Sequence, residues 1–184
     1  MNTISWPKYA IIAALAEKLN KAKNAPGRTA MQKFIYLLQE VYNVNCGYDF
    51  EFYTYGPFSS EIMSNIDTVR AFGAISVSGE MYNSGAYGYS ITPGPNIDKL
   101  KNKASEFLTN NQIVITRMIQ DFGKCKAEDL ELYATIVWVD RDLKSSNLSD
   151  ENKIKEVVKE LKPKFENTTI TSYMDILKIK RYIL

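Results

Sequence analysis

Apolar residues recur at helical spacing from the beginning of the chain. Ile11, Ile12, Leu15 and Leu19 share one face, which predicts a helix opening at Pro7, where a missing N–H costs nothing. It ends near Lys23, broken by Asn24-Ala25-Pro26-Gly27. A second helix buries Met31, Phe34, Ile35, Leu38, Val41 and Tyr42 and turns Lys33 and Glu40 to solvent. Thr29, with Gln32 three residues on, reads as its capping box. Phe50 to Tyr55 is rich in strand formers, and Gly56-Pro57 turns the chain. Ser59 or Ser60 then caps a third helix striped by Ile62, Ile66 and Val69 and stopped by Gly73. Ile75 and Val77 alternate with serines, and Tyr87, Tyr89 and Ile91 alternate again after Asn83-Ser84-Gly85, the pattern of a β-hairpin.

Beyond Thr92-Pro93-Gly94-Pro95 the pattern is helical throughout. Ile97, Leu100, Phe107 and Leu108 form one stripe, and Val114, Met118 and Phe122 another. Leu130 to Val139 is apolar on nearly every side, as a central core helix would be. Ser149-Asp150-Glu151 opens a helix that Pro163 follows, and Thr171 is placed to cap a last one ending at Lys178 to Arg181. The expectation is an α+β, mostly helical fold. Residues 1–95 form a winged-helix-like part with a β-hairpin, and residues 96–184 a helical bundle packed on it as one unit. The fit to a winged helix is imperfect, because the candidate strand precedes the helix at 59–72 where a standard one has a tight helix-turn-helix.

Composition narrows the chemistry. The chain of 184 residues has no histidine, which excludes His-based triads, a His general base and His-ligated metals. Cys46 and Cys125 stand alone and read as small core residues, although one disulfide between them is conceivable. Residues 1–95 carry seven basic and seven acidic side chains, and the remainder sixteen and fourteen. Neither half has the basic excess of a typical nucleic-acid-binding domain. No apolar run approaches the roughly 20 residues that cross a bilayer, and no signal peptide is evident. These features suggest a cytoplasmic protein without cofactor or metal.

Arg28-x-x-x-Gln32-Lys33-Phe34-x-Tyr36-Leu37, the aromatic strand, Tyr55-Gly56-Pro57-Phe58-Ser59 with Glu61, and Tyr89-Ser90-Ile91-Thr92 resemble the YwgA-like bacterial proteins of unknown function. They resemble, more distantly, the Panacea domain of SocA-like antitoxins. The resemblance covers roughly residues 8 to 110. It implies a compact, mostly helical protein with a winged-helix-like part, acting as an antitoxin or protein adaptor, and it carries over no catalytic residue.

Candidate contact residues follow from residue type. Tyr53, Tyr55 and Phe58 form either a recognition surface or a packed strand-to-helix corner. The corner reading places Phe58 largely buried. Tyr82, Tyr87 and Tyr89 on the hairpin suit a protein contact or sheet packing better than base stacking, since residues 71–95 contain no Lys or Arg. Lys21, Lys23, Arg28 and Lys33 are the nucleic-acid candidates, with a solvated face as the plainer account. The helix at 59–72 carries Glu61, Asp67 and Arg70, a poor match to phosphate. Asp140-Arg141-Asp142 reads as surface ion pairing, and Glu128-Asp129-Glu131 as a structural cluster rather than a metal or acid–base site. A non-enzymatic protein binder is the first expectation and a winged-helix regulator of transcription the alternative. An enzyme would require carboxylates converging in a deep pocket.

Overall fold

The computed structural model describes residues 5–81, 87–148 and 150–183. The fold is α+β and mostly helical. Two long helices, α1 (Trp6–Lys21) and α2 (Arg28–Glu40), come first. A small hairpin follows, β1 (Glu51–Tyr53) with β2 (Gly56–Phe58). Then come α3 (Ser60–Ala71), a longer hairpin of β3 (Ile75–Met81) and β4 (Tyr87–Pro93), and a helical second half. That half comprises α4 (Ile97–Asn102), α5 (Ser105–Phe122), α6 (Ala127–Ser145), α7 (Glu151–Leu161) and α8 (Asn167–Ile179).

Several local features follow the sequence closely. Pro7 lies in the first turn of α1. Gly73 adopts φ +68° after α3. The Gly73 N–H bonds the Arg70 carbonyl and the Ala74 N–H that of Val69, a Schellman stop that feeds the chain directly into β3. Asp150 caps α7, its carboxylate accepting from the N–H groups of Asn152 and Lys153. The 97–108 stripe divides into α4 and α5, with the break at Lys103-Ala104.

The core runs through both halves. Ile11, Leu15 and Leu19 of α1, Phe34 and Leu38 of α2, Met118 and Phe122 of α5, and Leu130 to Val137 of α6 belong to one buried cluster. Helix α6 packs against α2, α7, α8 and β2, which is why its sequence is apolar nearly all round. The longer hairpin is tied in from the side: the Ile91 N–H donates to the Pro26 carbonyl. The C-terminal end is fastened by Asp121, which accepts from the hydroxyls of Tyr42 (2.6 Å) and Tyr182 (2.5 Å) and pairs with Lys180 (2.6 Å).

Other expectations are corrected. Thr29 and Gln32 form no capping box; Gly27 is the N-cap of α2 and makes no side-chain bond. Thr171 lies inside α8 and donates to the Asn167 carbonyl instead of capping. The predicted single strand at 50–55 is a two-stranded hairpin, because Gly56 at φ +85° reverses the chain after Thr54-Tyr55. Asp140 is fully buried, where ion pairs with Arg141 and Lys144 compensate it, so it is no surface residue. Glu131 is buried as well. The cysteines, by contrast, follow the expectation: Cys46 and Cys125 are both free thiols, the first buried and the second partly buried.

Candidate functional site

The β1–β2 hairpin is the most unusually supported element in the molecule. Three separate parts of the chain grip its backbone. From α2, the Gln32 side chain donates to the Ser59 carbonyl (2.9 Å) and accepts from the Ser59 N–H (3.0 Å), pairing with that backbone as a neighbouring strand would. One residue on, Lys33 Nζ donates to the Pro57 carbonyl at 2.5 Å. From the far side, Lys162, just after α7, donates to the Thr54 carbonyl at 2.6 Å. Beneath the turn, Gly56 sits so close to α6 that a Cβ there would meet Thr135 Oγ1 at 3.0 Å. A tight two-residue hairpin cannot satisfy its outer carbonyls internally, and here buried side chains do so.

The electrostatics of this support are asymmetric. Glu131 pairs with Lys162 (2.8 Å) and Lys164 (3.1 Å). Lys33, only 1% exposed, has no ion-pair partner among the described residues. Burial, reinforced by the neighbouring charge of Lys162 and only partly offset by Glu131, pulls its ammonium pKa down to about 8. Lys33 was expected to face solvent and to be available to nucleic acid; it does neither, because α2 is enclosed on all sides over residues 30–38. A signal was present in the sequence. Between Ala30 and Leu38 the only charged or amide side chains are Gln32 and Lys33, and a helix that is apolar all round is a buried one.

On the outer side of the hairpin lie the aromatics. Tyr53 is 63% and Tyr55 59% exposed. Phe58, expected to be largely buried, is partly buried, and its ring packs beside Tyr53 (centroids 5.8 Å apart). Together with Arg28, Thr29, Gln32, Lys33, Gly56 and Met63 they line a partly enclosed cavity of about 160 Å³. Arg28 links this group to the longer hairpin: it pairs with Asp67 at 2.5 Å and lies 5.4 Å from the ring centre of Tyr89. Tyr82 and the Tyr87 side chain lie outside the described residues.

Helix α3 presents no basic face. Its Glu61 pairs with Lys8 (2.7 Å) and its Asp67 with Arg28, and its own single cation is Arg70, exposed in the last turn. Lys21 pairs with Glu17 on α1, and Lys23 is exposed at the turn after α1. Lys33 is buried, so the four basic candidates do not share one exposed surface.

Burial lifts the Cys46 thiol to about 12 and the Cys125 thiol to about 11, the latter with help from Asp129, so neither is poised as a nucleophile. Among the described residues no three acidic or cysteine side chains cluster as metal ligands, and no helix is long and apolar enough to cross a membrane. Comparison of the chain with protein-family models and with curated proteins gives no match to either.

Proposed function

We propose that this chain is a non-enzymatic regulatory protein, of antitoxin or adaptor type, that binds another protein through the outer face of the β1–β2 hairpin. The observation that carries this reading is the pairing of two exposed tyrosines with a rigid base. Tyr53 and Tyr55 project from a turn whose backbone is fixed by Gln32, Lys33 and Lys162. Tyrosine and arginine are enriched in binding hot spots, and phenylalanine in interfaces generally. A surface held in place before contact loses less conformational entropy on binding. Mostly exposed rings contribute little to folding, which leaves Tyr53 and Tyr55 available for recognition.

The rival reading, a winged-helix regulator of transcription, receives less support because Lys8 and Arg28 are neutralised by the acids of α3. The experiment is capture of partners from the source cells on the tagged full chain and on the Tyr53→Ala/Tyr55→Ala variant. The expected result is a protein retained by the first and lost by the second, with folding stability unchanged to within about 0.5 kcal/mol. A partner retained equally by both would overturn the reading. Nanomolar, sequence-selective DNA binding near physiological salt would favour the rival.

A further inference from the structure

A second cavity lies between α2, α6 and the stretch leading into β1. Tyr36, Gln39 and Glu40 line it from α2, and Trp138, Arg141 and Asp142 from α6, each set at the i, i+3, i+4 spacing of one helix face. Asp49 and Phe50 complete it. Gln39 fixes that stretch: its side chain donates to the Tyr48 carbonyl (3.0 Å) and accepts from the Tyr48 N–H (3.2 Å). The volume is about 370 Å³, at the lower end of the roughly 300 to 1,000 Å³ of small-molecule sites. In β1, Phe52 packs on Trp138 (centroids 5.7 Å apart), and strand alternation puts it opposite Tyr53. The cavity is therefore separate from the tyrosine face.

Its lining has two parts. One is aromatic. Tyr36 is buried and packs against both Phe50 (centroids 5.0 Å apart) and Trp138 (6.1 Å), and these two are partly exposed at the cavity. The other part is acidic. Asp49 and Asp142 are exposed, and Glu40 is half-buried. Among the described residues none of these three carboxylates has an ion-pair partner; Glu40 accepts one hydrogen bond, from the Gln39 amide (3.2 Å). The cation in the lining, Arg141, is committed elsewhere. It pairs with buried Asp140 and donates to the Glu40 and Tyr182 carbonyls, each at 3.0 Å.

We propose that this cavity binds a small organic cation, an alkylated ammonium, lying against Trp138 and Phe50 and facing Glu40, Asp49 and Asp142. Cations are held over aromatic faces, tryptophan best of all. A primary ammonium is strongly hydrated, whereas alkylation removes its N–H donors, so an alkylated one loses less on leaving water for aromatic walls. A metal ion needs carboxylates converging as ligands, and among the described residues no three acidic side chains cluster in that way. An anion would meet three carboxylates, and a neutral molecule would leave them unmatched.

Two probes of one shape test this: choline, and the uncharged alcohol in which a tert-butyl group replaces its trimethylammonium. Each is titrated into the full chain at fixed ionic strength and followed by ligand-observed NMR. Choline is expected to bind about tenfold tighter than the alcohol. Asp49→Asn/Asp142→Asn, at two exposed positions, should shrink that preference several-fold, and Trp138→Leu should weaken choline as well. Equal binding of the two probes to the unmodified chain, or binding of neither, overturns the proposal, whatever the variants do. So does a choline preference left intact in Trp138→Leu that is folded by circular dichroism, since the acidic rim alone would then account for it. Displacement of choline by calcium chloride beyond that by sodium chloride of equal ionic strength would make this a metal site and overturns the proposal too. None of these outcomes bears on the protein-binding reading, which stands or falls on Tyr53 and Tyr55.

Discussion

Replacing Lys33 by Met tests the structural account of the hairpin most directly. At neutral pH the wild-type ammonium is charged in a site that disfavours charge. Its folded pKa of about 8 lies below the ordinary 10.5, so between these values the unfolded chain binds more protons than the folded one. Stability from this group therefore rises with pH through that window, and the full penalty is present below it. A difference of 10.5 against 8, at about 1.4 kcal/mol per unit, sets that penalty near 3 kcal/mol. Against it stands the bond to the Pro57 carbonyl, whose loss leaves a buried acceptor unmet at about 1 to 3 kcal/mol. The two terms nearly cancel at neutral pH, so the variant should differ little from wild type there. At higher pH they separate. From pH 8 to 10 the wild type should gain about 2 kcal/mol relative to Lys33→Met. Urea melts of both proteins at pH 7, 8, 9 and 10 measure this, because the tyrosines and other lysines titrate in both and drop out of the difference. Parallel stability curves would refute the buried, uncompensated charge. A wild type that loses ground as pH rises would mean that a carboxylate holds Lys33 after all.

Three further outcomes are expected. Gln32→Ala leaves both the N–H and the carbonyl of buried Ser59 without their partners, so a denaturant melt should show a loss of about 2 to 4 kcal/mol; a loss under about 1 would mean the bridge is dispensable. Gly56→Ala forces a side chain into φ +85° and against Thr135, which should cost about 1 to 2 kcal/mol and detach Tyr53 and Tyr55 from their fixed positions, read as weaker partner capture in the same melt-and-capture comparison. Burial raises the Asp121 carboxyl, but Lys180, Tyr182 and Tyr42 outweigh it and hold the pKa below the usual value; that stability is present above the ordinary Asp range and lost as pH falls through the folded pKa. Asp121→Asn should therefore lose about 1.5 to 3 kcal/mol at pH 7 and flatten the acid limb of the stability curve, and an unchanged acid limb would rule Asp121 out as its source.

Much of the architecture was legible locally. The stripe of Ile11, Leu15 and Leu19, the all-apolar run at 130–139, the glycine stop at Gly73 and the helix start at Asp150-Glu151 each depend on a few neighbouring residues, and each forms as the pattern predicts. The exposed pair Tyr53 and Tyr55 was legible as a candidate, though not as a chosen side, because exposure depends on what the rest of the chain covers. The tertiary structure alone decided the fate of the polar residues. Gln32 gave up a local cap for Ser59, 27 positions away. Lys33 was taken inward because α6 and the hairpin close over the face of α2 that periodicity leaves to water. Lys162 and Thr135, from beyond residue 130, came to hold the hairpin turn at Thr54 and Gly56. Periodicity reports which side chains avoid water, a property each residue carries with it. A buried donor or charge is tolerated only where another segment brings its partner, and that partner is chosen by the packing of the whole chain.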